Sequence, residues 1–92
     1  MVAKSMNTIA VDRLDSEVVE GLMTVVVSVG IALGNGMAHS SQSRTLGWGK
    51  GFVQVGGWLA ADGVKWEGHV WDTGEVYKVV GFETLIEEVL GW

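Results

Sequence analysis

The run Thr24-Val25-Val26-Val27-Ser28-Val29-Gly30-Ile31-Ala32-Leu33 alternates large and small side chains almost without a break. Taken with a period of two, Val25, Val27, Val29, Ile31 and Leu33 point one way. Thr24, Val26, Ser28, Gly30 and Ala32 point the other way, and all but Val26 are small. Successive side chains of a strand leave opposite faces, so this pattern predicts a long strand over residues 24–33. Its ridge of branched aliphatics must be buried, and its smooth side lets another backbone come close.

No ionisable group other than His39 lies between Glu20 and Arg44. Only residues 21–34 of that window are convincingly apolar; Asn35, Gly36, His39, Ser40, Ser41, Gln42 and Ser43 are hydrogen-bonding and turn-like. A spanning helix needs roughly 20 apolar residues, so the window does not read as a transmembrane helix. Residues 1–7 carry no apolar segment after Lys4, and no secretory signal is read there.

Upstream, Val11, Leu14, Val18 and Leu22 fall on one face of a helix over roughly 12–22, with Asp12, Arg13, Asp15, Glu17 and Glu20 outside. Asp15 or Ser16 would cap a shorter version. A competing reading makes residues 8–11 a short strand. Downstream, Asn35-Gly36 predicts a tight turn, and residues 37–43 a loop or an irregular returning edge.

The pattern is cleaner in the second half. Residues 50–60 read as a strand, with Val53, Val55 and Leu59 opposite Phe52, Gln54 and Trp58. Gly56-Gly57 marks a bulge or a close backbone approach. Asp62-Gly63 predicts a hairpin turn. Val64, Trp66 and Val70 then face in, while Lys65, Glu67, His69 and Trp71 face out. Asp72-Thr73-Gly74 turns the chain again into a third strand over residues 75–80, which completes an antiparallel meander. After Gly81 the period changes. Phe82, Leu85, Ile86, Val89 and Leu90 make an apolar stripe opposite Glu83, Glu87 and Glu88, a short amphipathic helix stopped by Gly91. Thr84 and Glu87 have capping-box spacing.

Ninety-two residues allow one domain, 1–92, whose core is small for its length. Without cysteine, no disulfide or thiolate metal site can staple it. His39 and His69 are the only histidines, too few for a zinc cluster. Oligomerisation is the remaining common route, and a 48% hydrophobic content points the same way. The net charge is −5, and the six basic residues are scattered singly, which argues against nucleic-acid binding.

Motifs with specific chemistry fail on inspection. Gly47-Trp48-Gly49-Lys50-Gly51 lacks the spacing and the Ser or Thr of a phosphate loop, and a strand rather than a helix follows it. Its glycines, with Gly30, Gly34 and Gly36, read better as close-packing positions. His39 beside Ser40 and Ser41 suggests a nucleophile and base, but no orienting carboxylate can be assigned. Glu67 and His69 are two ligands at most. Asp12, Asp15, Glu17 and Glu20 form a solvated helix face and lack a calcium loop. No cofactor is implied.

The five tryptophans are the strongest functional hint. A core this small holds two or three of them, and Trp66 has core parity. Trp48, Trp58, Trp71 and Trp92, with Phe52, are the candidate interface or ligand residues. Outward aromatics suit a subunit interface, a sugar-stacking platform or a membrane belt.

The expectation is therefore an α+β domain: an antiparallel meander, one long alternating strand, a short C-terminal helix and an N-terminal helix. The expected function is that of a non-enzymatic structural subunit of a virion, tail or filament. It would assemble with itself through sheet edges and exposed aromatics. The alternatives are a module stacking carbohydrate on surface tryptophans, and an oligomeric membrane-active β-protein with residues 25–33 facing lipid.

Overall fold

The structure is a computed structural model and describes residues 7–34 and 41–92. The Asn35-Gly36 turn and the pair His39-Ser40 lie outside the described residues. The fold is α+β, with a five-stranded mixed sheet and two helices. Strand β1 (Asn7–Ala10) leads through a 3-10 turn at Val11–Arg13 into helix α1 (Ser16–Gly34). Strands β2 (Gln42–Trp48), β3 (Gly51–Ala60), β4 (Gly63–Asp72) and β5 (Glu75–Val80) follow, and helix α2 (Glu83–Leu90) closes the chain. The spatial order is β1-β5-β4-β3-β2; β1 runs parallel to β5 and every other pair is antiparallel.

The meander follows its expected alternation. Val53, Val55 and Val70 are buried on one side, and register pairs Phe52 with Trp71 and Gln54 with His69 on the other. Both pairings around Gly56 and Gly57 continue without a bulge, and Gly57 marks a packing site instead. In the β4–β5 turn, Thr73 (φ 48°) and Gly74 (φ 83°) are both left-handed, as a type I′ hairpin requires. A β-branched residue there is strained.

The predicted long strand over residues 24–33 is instead the second half of α1. Spacings of four satisfy a period of two and also lie close to one helical turn, so Val25, Val29 and Leu33 are buried under either reading. Other positions discriminate. Val26 and Ala32 are buried, whereas Val27 and Ile31 are 37% and 58% exposed, the reverse of what a strand demands. The stripe begun by Val18 and Leu22 simply continues through Val25, Val26, Val29 and Leu33. Each β-branched residue costs a helix at most about 0.7 kcal/mol. Burying an aliphatic side chain contributes about 1.5–3 kcal/mol, so packing wins. The helix begins at Ser16 and not at residue 12, because the 3-10 turn uses the preceding residues. The competing strand near residues 8–11 exists as β1. The membrane-barrel alternative loses its lipid-facing strand with this correction.

Of the two readings for residues 37–43, a loop or a returning edge, residues 42 and 43 follow the second, as the start of edge strand β2. Helix α2 buries Leu85 and Ile86 and exposes its glutamates. Gly91 (φ 71°) ends it as a left-handed cap, donating its N–H to the Glu87 carbonyl at 2.8 Å. The capping box does not form: Phe82 is the N-cap and lends no side-chain bond, and Thr84 lies inside the helix.

Both helices pack on one face of the sheet. Glycines let them approach: a Cβ at Gly57 would lie 3.0 Å from Val29 and 3.1 Å from Leu33 of α1, and one at Gly68 3.3 Å from Phe82. Gly30 of α1 faces the Leu90 side chain in the same way.

Candidate functional site

The other face of the sheet carries no helix. Strand parity places Phe52, Gln54 and Trp58 of β3 there, with Lys65, Glu67, His69 and Trp71 of β4 and Val76, Lys78 and Val80 of β5. Phe52, Trp71 and Val76 form one row across three strands. The Phe52 and Trp71 rings stack with centroids 4.4 Å apart and planes 14° from parallel, and His69 tilts against Trp71 at 5.6 Å. Trp58 stands six residues from Phe52 along β3, about 20 Å away, and is 38% exposed. Polar cross-strand pairs lie between these aromatic ends. Gln54 Nε2 donates to Ser43 Oγ at 3.1 Å, and Lys78 Nζ pairs with Glu67 Oε1 at 3.4 Å. The face is thus amphipathic, with its largest apolar group at the Phe52–Trp71 end.

Trp48 and Trp92, named with Phe52, Trp58 and Trp71 as interface or ligand candidates, belong to the helix side. Trp92 is half exposed and leans on Trp66 with centroids 5.7 Å apart, extending the core past the end of α2. Trp48 is partly buried and lines a cavity of about 210 Å³ under the start of α1. Ile9, Leu14, Val18 and Val70 supply apolar wall, and Arg13, Asp15, Asp72 and Tyr77 supply polar groups. Trp48 Nε1 and Asp72 Oδ1 are themselves out of reach of solvent and have no hydrogen-bond partner among the described residues. Leaving such groups unpaired costs about 1–3 kcal/mol each. Register explains their proximity: Trp48 pairs with Gly51, and Gly51 pairs with Asp72, so both flank the same glycine. A Cβ on Gly51 would collide with the Trp71 carbonyl, which keeps that position bare.

The remaining sequence candidates resolve simply. Gly47 and Gly49 have no atom close enough to meet an added Cβ, so no neighbour lies on them; Gly49 and Lys50 are the β2–β3 turn. Asp12, Asp15, Glu17 and Glu20 are exposed. No group of three or more His, Cys, Asp or Glu side chains among the described residues could hold a metal ion. Asp62 accepts from Lys65 Nζ at 3.1 Å, and that hydrogen bond holds its carboxyl below the usual value. Helix α1 is long and apolar enough, by length and composition, to cross a membrane; half of its apolar window is buried inside this fold.

Sequence reasoning read Asp72 only as a turn residue and Tyr77 only as part of a strand. Their joint position in the cavity depends on two hairpin registers and on where α1 lies, which no local pattern encodes. No family model matches the chain, and no curated protein or solved structure is significantly similar to it.

Proposed function

We propose that this chain is a non-enzymatic assembly subunit whose bare sheet face takes the sheet of a second copy. The observation that carries the reading is the one-sided cover. Both helices lie on one face, while the other holds the Phe52–Trp71 stack with Val76, Trp58 and Val80. Strands of these lengths, at ~3.3 Å per residue and ~4.8 Å between neighbours, present roughly 600 Å² of face. Side-chain relief brings this towards the ~800 Å² per partner of a standard interface. Two such faces would pack as a β-sandwich ~10 Å apart. Edge strand β2 offers a second contact for growth beyond a dimer. It is seven residues long, carries Arg44 as its one charge and has no proline to block pairing. A virion, tail or filament component is the kind of protein this assembly mode serves.

Light scattering coupled to size exclusion at micromolar concentration tests the reading. The expected result is an oligomer that Trp71→Glu converts to a monomer with an unchanged far-ultraviolet spectrum. A wild-type chain that stays monomeric sinks it. The carbohydrate reading keeps Trp58 as its free ring. Trp71 is a weaker platform, because Phe52 already covers one of its faces. A glycan that perturbs Trp58 fluorescence in the monomer would favour that alternative.

A further inference from the structure

We propose that the groove between the start of α1 and α2 is a docking site for a cationic amphipathic helix of another protein. The groove holds about 500 Å³ and lies on the helix side of the sheet, so the inference stands apart from the assembly reading. Val11 and Leu14 at the 3-10 turn, Val19 of α1 and Leu85 of α2 form its apolar floor, each buried or partly buried. Asp12, Glu20 and Glu88 line the same groove and are exposed, so its rim carries three carboxylates. No lysine or arginine lines it, and none of the three is ion-paired among the described residues. Arg13, although next to Asp12 in the chain, lines the cavity beside Trp48 instead. Like charges held around apolar surface favour an occupant that brings positive charge and an apolar face together.

Shape selects a helix. Ser16 and Glu20 stand one turn apart on α1, and Thr84 and Glu88 one turn apart on α2, so each wall is an i, i+4 ridge. Two such ridges with an apolar trough between them take the apolar stripe of a third helix. A second hollow continues the first, sharing Val11, Asp12 and Thr84 with it and running on past Ala10 and Gly81. An elongated trough suits a segment of chain better than a compact small molecule. The carboxylates act as spaced charges, since no group of acidic side chains among the described residues could hold a metal ion. A second copy is the wrong occupant: neither α1 nor α2 contains a lysine or arginine, so its helices bring no positive charge.

The probe is a synthetic helical peptide of about 14 residues, ~21 Å long, with leucines along one face and lysines on both flanks. One control peptide has glutamate for every lysine. Another keeps the composition but scatters the leucines round the helix. In two-dimensional NMR of the full chain at ~50 mM salt, the lysine peptide is expected to bind saturably, with Kd of roughly 100 µM or below. It should move the methyls of Val11, Leu14, Val19 and Leu85 and bind about tenfold tighter than either control. Glu20→Gln combined with Glu88→Gln, both at exposed positions, should weaken binding about threefold to tenfold, as two exposed ion pairs allow. Should that variant not fold, the ratio between lysine and glutamate peptides on the unaltered chain decides. The proposal is overturned if either control binds as tightly, if the shifts fall on Phe52 and Trp71, or if the folded double variant binds like the unaltered chain. It is also overturned if the groove methyls shift with protein concentration alone, which would make a second copy the occupant.

Discussion

The two faces of the sheet are built from the same strands but solve different problems. On the covered face, Val53, Val55, Val70 and Val79 are almost wholly buried, and Gly57 and Gly68 flatten the surface where α1 and Phe82 press down. On the bare face stand Phe52, Trp58, Trp71, Lys65 and Lys78, side chains too long to let a helix lie close. Compact branched residues and glycine make a bed for a helix; aromatics and lysine stems make a surface that meets a partner through its side chains. The difference also shows in glycine itself. Gly57 has α1 side chains almost in contact, while Gly47 faces open space.

Five substitutions would break or sharpen this contrast. The largest effect is expected on the covered side: Leu22→Ala, at a fully buried position, should cost about 2–5 kcal/mol in urea unfolding. Phe52→Ala in dilute monomer should cost only about 1 kcal/mol, mainly the lost stack on Trp71. Equal losses would mean that the bare face is a second core of the monomer. Next, Gly57→Ala must displace Val29 and Leu33 and should destabilise by about 1–3 kcal/mol. Gly47→Ala should stay within about 0.5 kcal/mol, and a comparable loss there would reveal a neighbour on that strand.

The smallest effect belongs to the exposed pair Asp62–Lys65 at the β3–β4 turn. The carboxyl titrates below its ordinary 3.8 in the folded chain, chiefly through the hydrogen bond from Lys65. Its contribution to stability is therefore present above about pH 3.8 and is lost as pH falls through the lower folded value. Lys65→Met should return the Asp62 titration, followed by carbon NMR, towards 3.8. No change would assign the shift to the backbone hydrogen bond instead.

Much of the architecture was legible because it is local. Each meander strand announces itself by a period of two, and each turn by residues able to close it, so which side chains share a face follows from counting. Helix α2 is legible for the same reason, with a 3.6-residue stripe and Gly91 as its stop. The candidate aromatics were legible as a set but not as a distribution. Phe52, Trp58 and Trp71 share the bare face, whereas Trp48 and Trp92 belong to the helix side. Trp48 sits in a strand whose inward positions carry Arg44 and an exposed Leu46, so no apolar alternation signalled its direction.

By itself the sequence determined the meander, its turns, the closing helix and which meander residues share each face. These depend on contacts between near neighbours in the chain. Tertiary structure alone decided the state of residues 24–33, because a spacing of four serves a strand and a helix equally. The sheet needed a cover longer than the eight residues of α2, and the continuous stripe from Val18 to Leu33 supplies it as a helix. The same packing sets α1 over the pocket that Trp48 and Asp72 both line, a juxtaposition that exists only once β2, β3 and β4 are in register beneath α1.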